Sequence, residues 1–148
     1  MNESTLVLIK PDAICRGLAG QVITRLENKG LKLIAAKLIK MDTDLAAKHY
    51  SVHKEKYFYQ RLIDYITATP VLAMVWQGKD AISVIRTLCG KTFGTEALPG
   101  TIRGDFSAGR FNIIHSSDCS ESAEYEIGLY FNNNEILDYE LDSQNWFK

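Results

Sequence analysis

Cysteine is scarce, and what there is does not pair. Cys15, Cys89 and Cys119 make an odd count of three, and no two stand in C-x-x-C spacing. A disulfide framework is not expected, and a reducing compartment is. Long hydrophobic runs are missing too. No stretch approaches the ~18 apolar residues of a membrane helix, so no membrane partner is expected. An excess of positive charge is also absent: 17 Lys and Arg stand against 18 Asp and Glu, for a net charge of −1. That balance argues against a nucleic-acid binder held by bulk electrostatics. It leaves room for a local basic cleft that takes a small anion. The opening Met1-Asn2-Glu3-Ser4 is polar, with no basic segment followed by an apolar one. A secretory leader is therefore not expected, and the cytoplasm is the expected location.

What is present suits one domain over residues 1–148, with 46% hydrophobic residues to fill a core. Thr5 to Ile9 is a continuous apolar run and reads as a buried strand, stopped by Lys10-Pro11-Asp12. Leu18, Val22 and Leu26 recur every fourth residue as one helix face, and Gly30 is placed to end that helix. A second strand falls within Leu31–Met41, and a short helix capped by Asp44 runs to His49 and Tyr50. Phe58–Ala68 is a helix, Val71–Trp76 a third strand opened by Pro70, and Asp80–Cys89 a helix. Gly90–Gly104 is a long connection, of a length that is commonly functional. Phe111–His115 is the fourth strand. Glu121–Phe131 is the closing helix, with Asp118 or Ser120 as its cap. Trp146 and Phe147 are apolar enough that they should dock on this chain or a neighbour. The order β-α-β, inserted helices, β-α-β, helix gives an α+β fold: the ferredoxin-like split βαβ, with a four-stranded antiparallel sheet and helices packed on it.

Three apparent motifs do not stand. Gly90-Lys91-Thr92 resembles the end of a P-loop, but Ile85 occupies the required upstream glycine position and the segment follows a helix. His49 and His53 have the spacing of a helical metal pair but no third ligand at a telling distance, so they read as surface histidines. His115-Ser116-Ser117-Asp118 holds the residue types of a hydrolase triad, yet neighbours on an emerging strand point in different directions. An RNA-binding use of the same fold would need exposed aromatics on a strand, and the strands here are aliphatic.

A more informative set is spread along the chain. Lys10 and His115 each end an apolar strand, Arg86 lies on the helix before the long connection, and Thr92 and Arg103 flank it. Cations and hydroxyls from several segments could converge on a phosphate chain. The residues around them then carry a specific pattern. Pro99-Gly100-Thr101-Ile102-Arg103-Gly104-Asp105-Phe106, Asn112-Ile113-Ile114-His115-Ser116-Ser117-Asp118 and Glu121-Ser122-Ala123-Glu124-Tyr125-Glu126-Ile127 closely resemble the nucleoside diphosphate kinase signature. Ile9-Lys10-Pro11-Asp12, Arg16-Gly17-Leu18, His49-Tyr50, Pro70–Trp76 and Gln144-Asn145-Trp146 extend the resemblance over essentially the whole chain.

The resemblance implies an enzyme that moves the γ-phosphate of a nucleoside triphosphate to a nucleoside diphosphate. Transfer would be ping-pong, through a phosphorylated His115. It implies that Glu126 supports His115, with Ser117 beside them. Lys10 and Tyr50 would contact the transferred phosphate, and Arg86, Thr92 and Arg103 the other phosphates. Lys10 and Asn112 would hold the ribose, with Phe58 stacked on the base and Leu62 lining its pocket. Mg2+ would travel with the nucleotide, touched by Asp118 through water. A homo-oligomer is implied, with a hexamer the expected form, and base specificity should be broad. Three features depart from the family pattern. Ser107–Phe111 is one residue short, leaving the wall opposite Phe58 without its usual apolar side chain. Phe93-Gly94 stands where Asn-Pro is common, and there Gly94→Pro is expected to stiffen the loop and raise the melting temperature. Tyr130 replaces a common tryptophan.

Overall fold

A computed structural model of the chain describes residues 2–147. Four strands form one sheet: β1 (Asn2–Ile9), β2 (Lys32–Ile39), β3 (Val71–Lys79) and β4 (Ile114–Ser116), in the order β2-β3-β1-β4. Every neighbouring pair is antiparallel. β3 therefore lies between β1 and β2, and β1 between β3 and β4, which is the ferredoxin-like split βαβ arrangement. Among the described residues seven α-helices accompany the sheet: α1 (Pro11–Cys15), α2 (Ala19–Asn28), α3 (Thr43–His49), α4 (Tyr59–Ala68), α5 (Ala81–Cys89), α6 (Ile102–Phe106) and α7 (Ser120–Tyr130).

Helices cover both faces of the sheet, and the alternation within β1 shows why its sequence is apolar throughout. Val7 and Ile9 pack with Met74, Trp76, Val22 and Ile85, on the side of α2 and α5. Leu6 and Leu8 pack with Ala73, Val75, Ile66 and Tyr130, on the side of α3, α4 and α7. A strand buried on both faces loses the polar-apolar alternation of a half-exposed one. Leu18, Val22 and Leu26 do form the buried stripe of α2. Gly30 follows at φ +89° and its N–H bonds to the Glu27 carbonyl, a conformation that glycine adopts without strain.

Several boundaries differ from the sequence expectation. The cap of α3 is Asp42, whose Oδ1 accepts from the Leu45 N–H at 2.8 Å. Asp44 sits instead inside the first turn, where a carboxylate favours the positive end of the helix. On α4 the fully buried positions are Ile63 and Ile66, while Phe58 precedes the helix and is half-buried. The long connection contains α6, capped by the Thr101 hydroxyl. β4 begins only at Ile114, because Ile113 has φ +72° and the Ile114 N–H turns back to the Asn112 carbonyl. An apolar run in sequence gives no sign of that reversal. Neither Asp118 nor Ser120 caps α7: Cys119 holds the cap position without a side-chain bond. Of the two terminal aromatics, Phe147 lies on Gly30, while Trp146 is 87% exposed.

The edge strand β2 carries a bulge at Ile34, since Leu33 and Ala35 pair with the consecutive residues Trp76 and Val75. The Ile34 carbonyl accepts instead from the Leu137 N–H at 2.9 Å. Tyr139 Oη donates to the Leu33 carbonyl and the buried Lys32 Nζ to the Tyr139 carbonyl, so the segment after α7 straps this edge.

Gly94 reverses the expectation drawn from sequence. A Cβ there would lie 1.9 Å from the Ser107 carbonyl oxygen, which is backbone and cannot swing aside. The glycine is a close-approach residue, and proline adds more bulk than alanine. Gly94→Ala should cost about 1–3 kcal/mol, as overpacking does, and Gly94→Pro more. Thermal unfolding of the two variants checks this, and a raised melting temperature in either would contradict it.

Candidate active site

His115 is the middle residue of β4 and pairs with Leu8. Because side chains alternate, Ile114 and Ser116 point to the face of α5, where Ser116 Oγ meets Cys89 Sγ at 3.6 Å. His115 points the other way, towards α3 and α7. There its Nε2 lies 2.5 Å from Glu126 Oε1. Ser117 Oγ donates to the other carboxylate oxygen at 3.0 Å. An ionised carboxylate only accepts, so the imidazole Nε2 carries the proton and Nδ1 keeps its lone pair. Glu126 is buried on α7, and the bonds from His115 and Ser117 compensate its burial.

His49 stands next to this pair. It is buried, with its ring edge-on to His115 at 4.5 Å between centroids and its Nδ1 3.0 Å from Tyr130 Oη. The surface reading of His49 is therefore wrong. It occupies the last turn of α3, on the side where Ala46 and Tyr50 are buried, and that helical spacing was the available signal. Burial, then the nearby His115, hold its pKa well below the usual histidine value. His53 is less enclosed and is also lowered, chiefly by desolvation. His49, His115 and Glu126 bring ligand-type atoms within 4.8 Å of one another. Glu126 is committed to His115 and Ser117, and His49 to Tyr130, so the cluster is a proton-bonded network. Tyr50 is buried beside it with its hydroxyl unpartnered among the described residues, and burial pushes its phenol above the ordinary range.

A second group of polar side chains lies around the turn before β4. Lys10, at the end of β1, donates from Nζ to Asn112 Oδ1 at 2.7 Å. Desolvation, then the Arg103 charge, lower its pKa to about 8. Asn112 donates in turn to the Thr92 carbonyl. Arg103 is buried and spends its guanidinium on three carbonyls: Asn112 at 3.2 Å, Gly90 at 3.0 Å and Ile114 at 2.7 Å. Arg86 reaches the Ser116 carbonyl at 3.3 Å. Two residues not anticipated from sequence hold the turn itself. Asp12 accepts from the Ile113 N–H and, in a short bond, from Tyr65 Oη. Asp12 belongs to the Ile9-Lys10-Pro11-Asp12 stretch that carries the family resemblance, but that match gave it no role beyond ending the strand.

A cavity of about 230 Å³ opens over His115, lined among others by Tyr50, His53, Arg86, Asp118 and Glu126. The base-site candidates lie outside it. Phe58 is flanked by His53, Tyr57 and Lys56. Thr92 is exposed and contributes only its carbonyl to the contacts seen. Asp118 is exposed at the cavity rim, and the Ser122 hydroxyl is the main cause holding its carboxyl below the usual value. In the shortened segment, Arg110 is exposed and Phe111 stacks on Tyr65 at 4.6 Å.

Arg103 joins the long connection to β4 through a planar fork that lysine does not possess. Arg103→Lys should therefore destabilise the fold by about 2–4 kcal/mol, given what bonds to a charged donor are worth. Chemical denaturation is the direct measurement, and unchanged stability would show that the three bonds are not structural.

The sequence pattern of the nucleoside diphosphate kinase family matches residues 3–136. A nucleoside diphosphate kinase of Archaeoglobus fulgidus is 51% identical over 146 residues, covering 97% of this chain and 96% of its own. One from Oceanobacillus iheyensis is also 51% identical, with 97% and 98% covered. The fold superposes on a halophilic nucleoside diphosphate kinase from Halobacterium salinarum in complex with CDP, at TM-score 0.96 and 43% identity over 100% of this chain and 99% of that one. It also superposes on a transition-state mimic of the Borrelia burgdorferi enzyme with bound vanadate and ADP, at TM-score 0.94 and 39% identity, with 99% and 96% covered. With a matching pattern along nearly its full length and half its residues shared with these relatives, the chain belongs to the nucleoside diphosphate kinase family.

Proposed function

We propose that this chain transfers the γ-phosphate of a nucleoside triphosphate to a nucleoside diphosphate through phospho-His115. The observation that carries the reading is the Glu126 bond to His115 Nε2, which leaves Nδ1 unprotonated at the cavity. In the first half-reaction the Nδ1 lone pair forms an N–P bond to the γ-phosphorus. The bond from that phosphorus to the β,γ-bridging oxygen breaks, and the nucleoside diphosphate leaves with the electron pair. In the second half-reaction a β-phosphate oxygen of another nucleoside diphosphate attacks the phosphohistidine and His115 regains its lone pair. The protein's remaining task is to stabilise phosphoryl charge. Arg86 and the Tyr50 hydroxyl border the same cavity as His115. Lys10 and Asn112, bonded to each other before β4, can reorient to ribose and phosphate. Arg103 contributes its charge from a fixed place.

The family's activity calls for a divalent cation, and Mg2+ fits this site as a substrate-borne ion. Mg2+ is commonly held by one or two carboxylates and by substrate phosphates. Asp118 supplies one carboxylate at the cavity rim and can meet the ion through its water shell. When bound, the ion would neutralise phosphate charge. Phe58 and Leu62 are assigned to the base. Phe111, solvent-facing and stacked on Tyr65, offers an aromatic surface where the short segment has lost its usual apolar side chain. Association into a homo-oligomer, as a hexamer, is supported by exposed apolar side chains such as Val52, Leu98 and Trp146. Three unpaired cysteines favour a reducing, cytoplasmic setting. No described helix is long and apolar enough to cross a membrane.

Incubation with γ-labelled ATP should leave an acid-labile phosphate on the protein, and GDP should remove it. His115→Ala should abolish both steps; a variant that still accepts and passes on label would refute the route.

Base selectivity should be weak, because the groups assigned near the base are apolar and give area without polar discrimination. ADP, GDP, CDP and UDP should be used with similar kcat/KM, purines being modestly favoured. A preference above about 100-fold for one base, lost in Arg110→Ala, would overturn this and assign Arg110 to base recognition.

A further inference from the structure

Tyr130 is where this chain carries a phenol in place of the tryptophan common in its family, and the phenol is not idle. Its Oη lies 3.0 Å from His49 Nδ1 and 3.8 Å from Met41 Sδ, in the core between α3 and α7. The hydroxyl can donate to either, and the imidazole nitrogen, when it carries no hydrogen, is the closer and stronger acceptor, since a thioether accepts weakly. Burial also keeps the phenol protonated, as it raises the pKa of Tyr130 beyond the ordinary tyrosine range. A donated bond at Nδ1 requires that nitrogen to hold a lone pair, so the proton of neutral His49 resides on Nε2. With Nδ1 engaged in the core, Nε2 is the atom that His49 can offer to the cavity, where it borders His115.

We propose that Tyr130 is a positioning residue: it fixes His49 as the neutral Nε2–H tautomer, so that His49 presents a donor to the phosphoryl group moving on and off His115. The proposal rests on the His115 route above. Two histidines side by side then share the Nε2–H tautomer but offer opposite nitrogens to the cavity, each set by one α7 side chain. Glu126 accepts a proton bond from His115 and leaves it a nucleophile. Tyr130 donates to His49 and leaves it a donor. A donor without charge is useful here, because a cationic His49 would repel the neighbouring cations and raise the cost of any positive charge on His115.

The groups facing His49 are His115 from β4, Glu126 and Tyr130 from α7, Lys10 from the end of β1, and Tyr50 and His53 from the turn after α3. His115, Lys10 and His53 disfavour the imidazolium, and so does desolvation. The Tyr130 bond acts in the same direction, since it stabilises the form with a free Nδ1 lone pair. Removing it raises the pKa of His49, so protonation of His49 then begins at higher pH.

The test separates this inference from the His115 route. In wild-type protein with nitrogen-15-labelled histidine, NMR at neutral pH should find His49 in the Nε2–H tautomer. In Tyr130→Phe, which keeps the ring, His49 should become a tautomer mixture and titrate at higher pH. The rate of phosphorylation by ATP should fall on the order of tenfold, the scale of one lost hydrogen bond, with KM little changed. The acid limb of the rate profile should move to higher pH, and Tyr130→Trp, which restores an N–H donor, should recover most of the rate. His49 found as the Nδ1–H tautomer in wild type would overturn the proposal. So would a Tyr130→Phe enzyme with wild-type rate and an unmoved acid limb. Neither result would touch His115 labelling, which stands or falls on His115→Ala.

Discussion

The site hangs on one buried guanidinium. Arg103 bonds the carbonyls of Gly90, Asn112 and Ile114, and so ties the end of α5, the turn before β4 and β4 itself to a single planar group. Those three segments carry, or directly adjoin, Arg86, Asn112 and His115. A buried charge is normally a liability, and here it is offset by the carbonyl oxygens of Gly90, Asn112 and Ile114. The cation proposed to attract phosphate is at the same time the clamp that joins these segments. Its neighbours adjust to it: Lys10 is less basic partly because Arg103 is close.

Much of the fold was legible because it is written in periods. The continuous run in β1 and the four-residue recurrence of Leu18, Val22 and Leu26 specify a doubly covered strand and a helix packed on it. Illegible features were those set by single dihedrals or by contacts between distant segments. The positive φ of Ile113 shortens β4, and no composition signals it in a β-branched residue. The clash that forbids a side chain at Gly94 depends on Ser107, which only tertiary packing brings there. Asp42 and Asp44 are both competent caps by type, and the extended backbone of Asp42 decides between them.

The candidate site divides the same way. His115, Lys10, Arg103 and Asn112 lie in motif stretches and Arg86 stands out as a helix cation, and the structure gathers them around β4. Glu126 is named through the same resemblance, although by its residue type alone it is a helix charge beside Ile127. His49 reads as a surface histidine, and its burial appears only where α3 and α7 close over β4. The inner face of α7 holds a carboxylate and a phenol, Glu126 and Tyr130, as well as Ala123.

The strap along β2 bears on how the chain is made. A strand at the rim of a sheet, with open carbonyls and amides, is a template for another molecule's strand. Here the cover for β2 is encoded far downstream of it, at Leu137 and Tyr139. During synthesis the rim is complete long before its cover exists. For that interval, Lys37 and the bulge at Ile34 are what protects it, one by charge and the other by breaking the regular ladder. Residues outside the candidate site thus close an edge that another strand could otherwise join.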